Sequence, residues 1–102
     1  MNERNLALVF KLVGEGNPYT YFTELPDGEL ACLHRYMYTE AILYGLNETG
    51  YEDRWCYTPG TAQAALQHWI DNYDTLLEPT GWHRNPRTGR RRDKDGNTTI
   101  NY

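Results

Sequence analysis

The 102-residue chain has room for one domain and one core, and 39% apolar side chains with nine Tyr and three Trp mark it as folded, not disordered. No stretch approaches the roughly 18 consecutive apolar residues that cross a bilayer, so neither a membrane span nor a membrane partner is expected. The net charge of -4 conceals a dipole: residues 1–83 hold twelve acidic against four basic residues, a balance of -8, while residues 84–102 hold six basic against two acidic, a balance of +4.

In chain order, Met1 to Asn5 passes into an apolar run that contains Lys11, with no small-residue cleavage site after it; no signal peptide and a cytosolic location are expected. Residues 6–13 place Leu6, Leu8, Phe10 and Leu12 on one side of an extended chain whose other side is also mostly apolar, the pattern of a strand buried on both faces. Gly14 to Pro18 breaks it. Tyr19 to Leu25 and Leu30 to Arg35 then form a hairpin about Pro26-Asp27-Gly28, where Pro presets one corner and Gly accepts positive φ. Tyr36 to Leu46 has both helical and strand periodicity, and its aromatic content favours strand. Asn47-Glu48-Thr49-Gly50 connects it to the alternating segment Tyr51 to Tyr57.

A helix is predicted over about 59–73, with Thr58 as N-cap and Pro59 at the first helical position. Ala62, Ala65, Leu66, Trp69, Ile70 and Tyr73 form its apolar stripe, which must lie on a sheet. The end of the chain follows: Trp82, His83 and Arg84, a turn over Asn85-Pro86 to Gly89, Arg90 to Arg92, a second turn from Asp93 to Gly96, and a short strand or frayed tail. The expected fold is α+β, an antiparallel sheet of four to six strands with one amphipathic helix on one face. Residues 1–83 are its body, and residues 84–102 a basic C-terminal hairpin or tail attached to the same domain.

The segments Gly50 to Tyr57, the Ala-rich helix bearing Trp69, and Pro79-Thr80-Gly81-Trp82-His83-Arg84 together resemble short bacteriophage and prophage proteins. The resemblance covers about residues 36–92. It implies a phage or prophage origin, hence the host cytoplasm, and carries no assigned activity and no functional residues.

Chemistry has few candidates. Cys32 and Cys56 form no paired motif and are expected as buried free thiols. Cys32-x-His34 puts two ligand types on one strand face, but His34, His68 and His83 show no close ligand pairs, so neither metal nor cofactor is expected. Asp93 to Asn97 lacks a full calcium loop and reads as a turn. Glu48, Glu52 and Asp53 cluster at a hairpin end, where carboxylates are commonly a solvated rim. Arg54, flanked by aromatics, is expected to pack its stem and pair with a carboxylate. No catalytic residues are assigned, and a small hydrolase or metal-dependent enzyme is the weakest class.

The strongest lead is a nucleic-acid contact through Trp82, His83, Arg84, Arg87, Arg90, Arg91, Arg92 and Lys94, where arginines reach successive phosphates and an indole supports or stacks. The expected function is a non-enzymatic binding protein whose partner is nucleic acid or a host or phage protein. The alternative is a protein-interaction module using the acidic, Tyr-rich body, with a homodimer as one form of it.

Overall fold

The structure is a computed structural model that describes residues 1–83 and, beyond them, the backbone of Arg90–Arg92 and Thr98–Ile100. It has the expected α+β architecture, with two helices and a four-stranded antiparallel sheet among the described residues.

The apolar run at the start is a helix, α1 (Glu3–Gly14), and not the expected strand. Asn2 decides this locally: it sits extended at the N-cap, and its side-chain oxygen accepts the Asn5 N–H at 2.8 Å. Glu3 in the first turn and Lys11 in the last both complement the helix dipole. Asn5, Leu8 and Leu12 turn inward, whereas Leu6, Phe10 and Val13 form a second, exposed stripe. A helix with two apolar stripes reads, in sequence, like a strand with two apolar faces.

Strands β1 (Tyr19–Glu24), β2 (Leu30–Arg35), β3 (Glu40–Tyr44) and β4 (Asp53–Tyr57) form a meander in the order β1-β2-β3-β4. The β1–β2 turn closes as its residues predict: the Gly28 N–H reaches the Leu25 carbonyl at 2.9 Å, and Gly28 adopts φ 87°. In the edge strand β1 the register shifts between Thr20 and Thr23 around Tyr21, a non-glycine residue at φ 52°. Such a bulge twists an exposed edge away from pairing with another chain. The strand reading of the ambiguous stretch holds for Glu40–Tyr44, while Tyr36 to Thr39 forms the turn, closed by the Tyr36 N–H on the Thr39 carbonyl at 2.8 Å.

Helix α2 (Ala62–Asp71) starts later than predicted, and Thr58 is not its N-cap. The Thr58 carbonyl instead accepts from the Thr61 N–H and hydroxyl, and the carboxylate that meets the helix start is Glu40 of β3. Its Oε1 accepts the Gly60 and Ala62 N–H groups at 3.1 and 3.4 Å, placing negative charge at the positive end of the helix dipole.

Strand alternation divides the core in two. Ala31, Leu33, Ile42, Trp55 and Tyr57 face Ala62, Leu66 and Trp69 of α2, while Leu30, Cys32, Ala41 and Leu43 face Leu8 and Leu12 of α1. The sheet thus carries a helix on each face, one more than the sequence indicated. Trp69 is the largest fully buried side chain, edge-on to Trp55 at 5.3 Å, so truncating it to Ala would cost roughly 3 to 5 kcal/mol.

A carboxylate ties the β1–β2 turn to both the sheet and α2. Asp27 Oδ2 accepts the Tyr44 and Tyr73 hydroxyls at 2.6 and 2.5 Å. Partial burial works to raise the Asp27 pKa, but these bonds and the Glu29 N–H bring it below the ordinary carboxylate value. Burial and the Asp27 hydrogen bond push Tyr73 up to about 12.

A depressed carboxylate stabilises the fold above the unfolded pKa of about 3.9, and that contribution is lost as pH falls through the folded value. The raised tyrosine stabilises below about pH 10 and its share is lost as pH rises further. Asp27→Asn should therefore lower stability by about 1 kcal/mol at neutral pH, a figure discounted for the exposure of the group. Urea midpoints should show this gap at about pH 7 and its narrowing as pH falls below about 3.9; a gap that does not narrow there would contradict the assignment.

Candidate functional site

The α1-facing side of the sheet is only partly covered by its helix. Asn5 Nδ2 donates to Glu24 at 2.7 Å and to the Gly28 carbonyl at 2.9 Å, and Lys11 pairs with Glu48 at 3.9 Å, which ties α1 toward the Leu30 and Leu46 end. The register aligns Tyr19, His34, Ala41 and Cys56 across the sheet, with Cys32, Leu43 and Arg54 in the next row on the same face. Arg54 stands among aromatic side chains on this face. Tyr19, His34, Tyr36 and Tyr51 are all half-buried there.

The rings touch one another. Tyr19 meets His34 edge-on at 5.2 Å, and His34 meets Tyr36 at 4.2 Å with a tilt of 48°. Arg54 Nη1 donates to the Tyr36 hydroxyl at 3.4 Å, and its guanidinium carbon lies 5.8 Å from the centre of the same ring. Contrary to the sequence expectation, Arg54 forms no ion pair with any carboxylate among the described residues; Asp53, next in sequence, belongs to the opposite face. Its Nε is buried without a hydrogen-bond partner, at a cost of roughly 1 to 3 kcal/mol that the Tyr36 contact only partly offsets. The guanidinium is thus a positive charge held by aromatics in an otherwise acidic body.

Protonation follows from this packing. Burial, assisted by the Arg54 charge, lowers the His34 pKa, so the imidazole is neutral near pH 7. Burial pushes the Cys32 thiol up to about 12 and raises Cys56, the latter opposed by Arg54. Both thiols are free and buried, as expected, and held in the unreactive form. Cys32 and His34 do share a face, yet no three His, Cys, Asp or Glu side chains converge as metal ligands among the described residues. Nor do the hairpin carboxylates gather: Glu48 pairs with Lys11, Asp53 is buried on the α2 side, and Glu52 packs beneath Gly45.

Of the residues assigned to a nucleic-acid contact, Trp82 is half-buried against the α2-side core, and its indole N–H donates to Glu78 Oε1 at 3.1 Å. Trp55 donates to Oε2 of the same carboxylate at 3.4 Å. The Tyr57 hydroxyl reaches the Thr80 carbonyl at 2.8 Å. His83 pairs with Cys56, N–H to carbonyl at 2.9 Å, so the chain runs along the outer edge of β4. Arg84, Arg87 and Lys94 lie outside the described residues, as does the expected turn over 85–89. Arg90, Arg91 and Arg92 form β5 (Arg90–Arg92), which pairs antiparallel with β6 (Thr98–Ile100) and lies against β4. The structure therefore brings the basic strand alongside the strand that carries Arg54.

The aromatic cluster escaped sequence reasoning because its members lie on three separate stretches of chain. Alternation alone could have put Arg54 and Cys56 together, but only the inter-strand register adds His34 and Tyr19. No family model matches the chain, and neither a curated protein nor a solved structure matches it.

Proposed function

We propose that this protein is a non-enzymatic nucleic-acid-binding protein of phage or prophage type, acting in the cytoplasm of the host. The observation that supports this reading best is the position of β5: three consecutive arginines lie against β4, the strand whose Arg54 has no carboxylate partner among the described residues. Residues 84–102 carry a balance of +4, and residues 1–83 one of -8. Phosphates are repelled by most of such a surface and admitted at one edge, which orients the encounter as well as strengthening it. Trp82 acts here as the anchor of the basic segment, with His83, Arg84, Arg87, Arg90, Arg91, Arg92 and Lys94 as the charged contacts.

The test is fluorescence anisotropy with a labelled oligonucleotide across a salt series. Replacing Arg90, Arg91 and Arg92 together with Ala should weaken binding and make the slope of log K against log salt shallower by about 2 to 3. An unchanged slope would remove the basic strand from the contact.

A second reading, a protein interface on the acidic body, draws on the outer stripe of α1. Leu6, Phe10 and Val13 are exposed, Phe10 by 70%, at spacings of four and three residues. The stripe is nearly symmetric about Phe10, so a second copy fits it: an antiparallel pairing sets Leu6 of one helix against Val13 of the other. Light scattering should then report a dimer that Phe10→Glu converts to monomer. A wild-type protein that stays monomeric at high concentration would exclude this interface.

A further inference from the structure

We infer that the open part of the α1-facing sheet surface, Tyr19, His34 and Tyr36 around Arg54, is a stacking platform for the unpaired bases of single-stranded nucleic acid, with Arg54 meeting a backbone phosphate. This rests on the nucleic-acid reading above and adds which form of nucleic acid is bound and where.

Three observations carry it. First, aromatic rings gather beside Arg54 on the α1-facing side of the sheet. Tyr19, His34 and Tyr36 are half-buried, and Tyr38, 65% exposed, extends the aromatic surface into the β2–β3 turn. Rings held by strand packing and still partly exposed are preordered for contact, and bases stack on such rings without regard to sequence. His34 adds an uncharged ring, since burial and Arg54 keep its imidazole neutral. Second, Arg54 is held against Tyr36 by a hydrogen bond and a cation–π contact, and no described carboxylate neutralises it. A phosphate would supply the missing counter-charge in a surface otherwise rich in carboxylates. Third, the basic strand β5 lies against β4, the strand that carries Arg54.

The same geometry disfavours a duplex. Paired bases are stacked on each other and present only their edges, so rings on a sheet face reach bases only in an unpaired strand. The platform therefore discriminates by strandedness, whereas the arginines of β5 bind phosphate in either form.

The experiment measures binding of a labelled oligonucleotide alone and annealed to its complement, by anisotropy, with wild type, Tyr36→Leu, Tyr36→Phe and Arg54→Gln. Wild type should prefer the single strand by about tenfold or more. Tyr36→Leu and Arg54→Gln should each lower single-strand affinity about 5- to 10-fold while leaving duplex affinity unchanged, and Tyr36→Phe, which keeps the ring, should retain the preference. Because Tyr36→Leu could disturb folding, Tyr36→Trp gives an independent readout: its fluorescence should be quenched on adding the single strand and not the duplex. Equal affinity of wild type for both forms, with the β5-dependent salt slope intact, would overturn the platform and leave the nucleic-acid function standing. Absence of binding to either form would overturn both.

Discussion

The Glu78 carboxylate is the contact on which the β4 edge of the molecule depends. It receives two indole N–H groups, one from Trp55 in the middle of β4 and one from Trp82 in the segment that follows α2. The two bonds, at 3.4 and 3.1 Å, join a strand to a loop through one side chain. With Trp82 fixed, the Tyr57 hydroxyl can hold the Thr80 carbonyl, and His83 can pair with Cys56. The edge of β4 is then occupied by the protein's own chain, and the basic strand is delivered beside it.

The second constraint is unequal cover of the sheet. On one face α2 lays Leu66 and Trp69 over Leu33, Ile42 and Trp55, with Asp27 and Glu40 tying its two ends to the sheet and the β1–β2 turn. On the other, α1 reaches the core through Leu8 and Leu12, and Arg54, at the end of the row that holds Cys32 and Leu43, packs against the Tyr36 ring. An arginine there is tolerable because Tyr36 receives both its charge and one of its donors.

Much of this was legible in the residues. Pro26-Asp27-Gly28 specified the first hairpin, the alternation from Tyr51 to Tyr57 contains β4, and the stripe from Ala62 to Tyr73 marks α2. What escaped was set by partners distant in sequence or by a single capping side chain. Leu6 to Val13 is equally apolar under either periodicity, and Asn2 tips it to helix. Thr58 looked like a cap because it precedes Pro59, yet Glu40, twenty-two residues before Ala62, meets the helix start instead. The basic segment was recognised from charge alone, but its position against β4 comes from Glu78 and Trp82, a pair whose meaning depends on Trp55 being across from them.

The lock of the chain after α2 onto β4 through Glu78 can be read from amide hydrogen exchange at His83. In the wild-type protein the His83 N–H, bonded to the Cys56 carbonyl, should exchange as slowly as backbone amides within β4, and Glu78→Ala should release His83 while the interior of β2 and β3 stays protected. A His83 amide that exchanges at the rate of an unstructured chain in the wild-type protein would contradict the account.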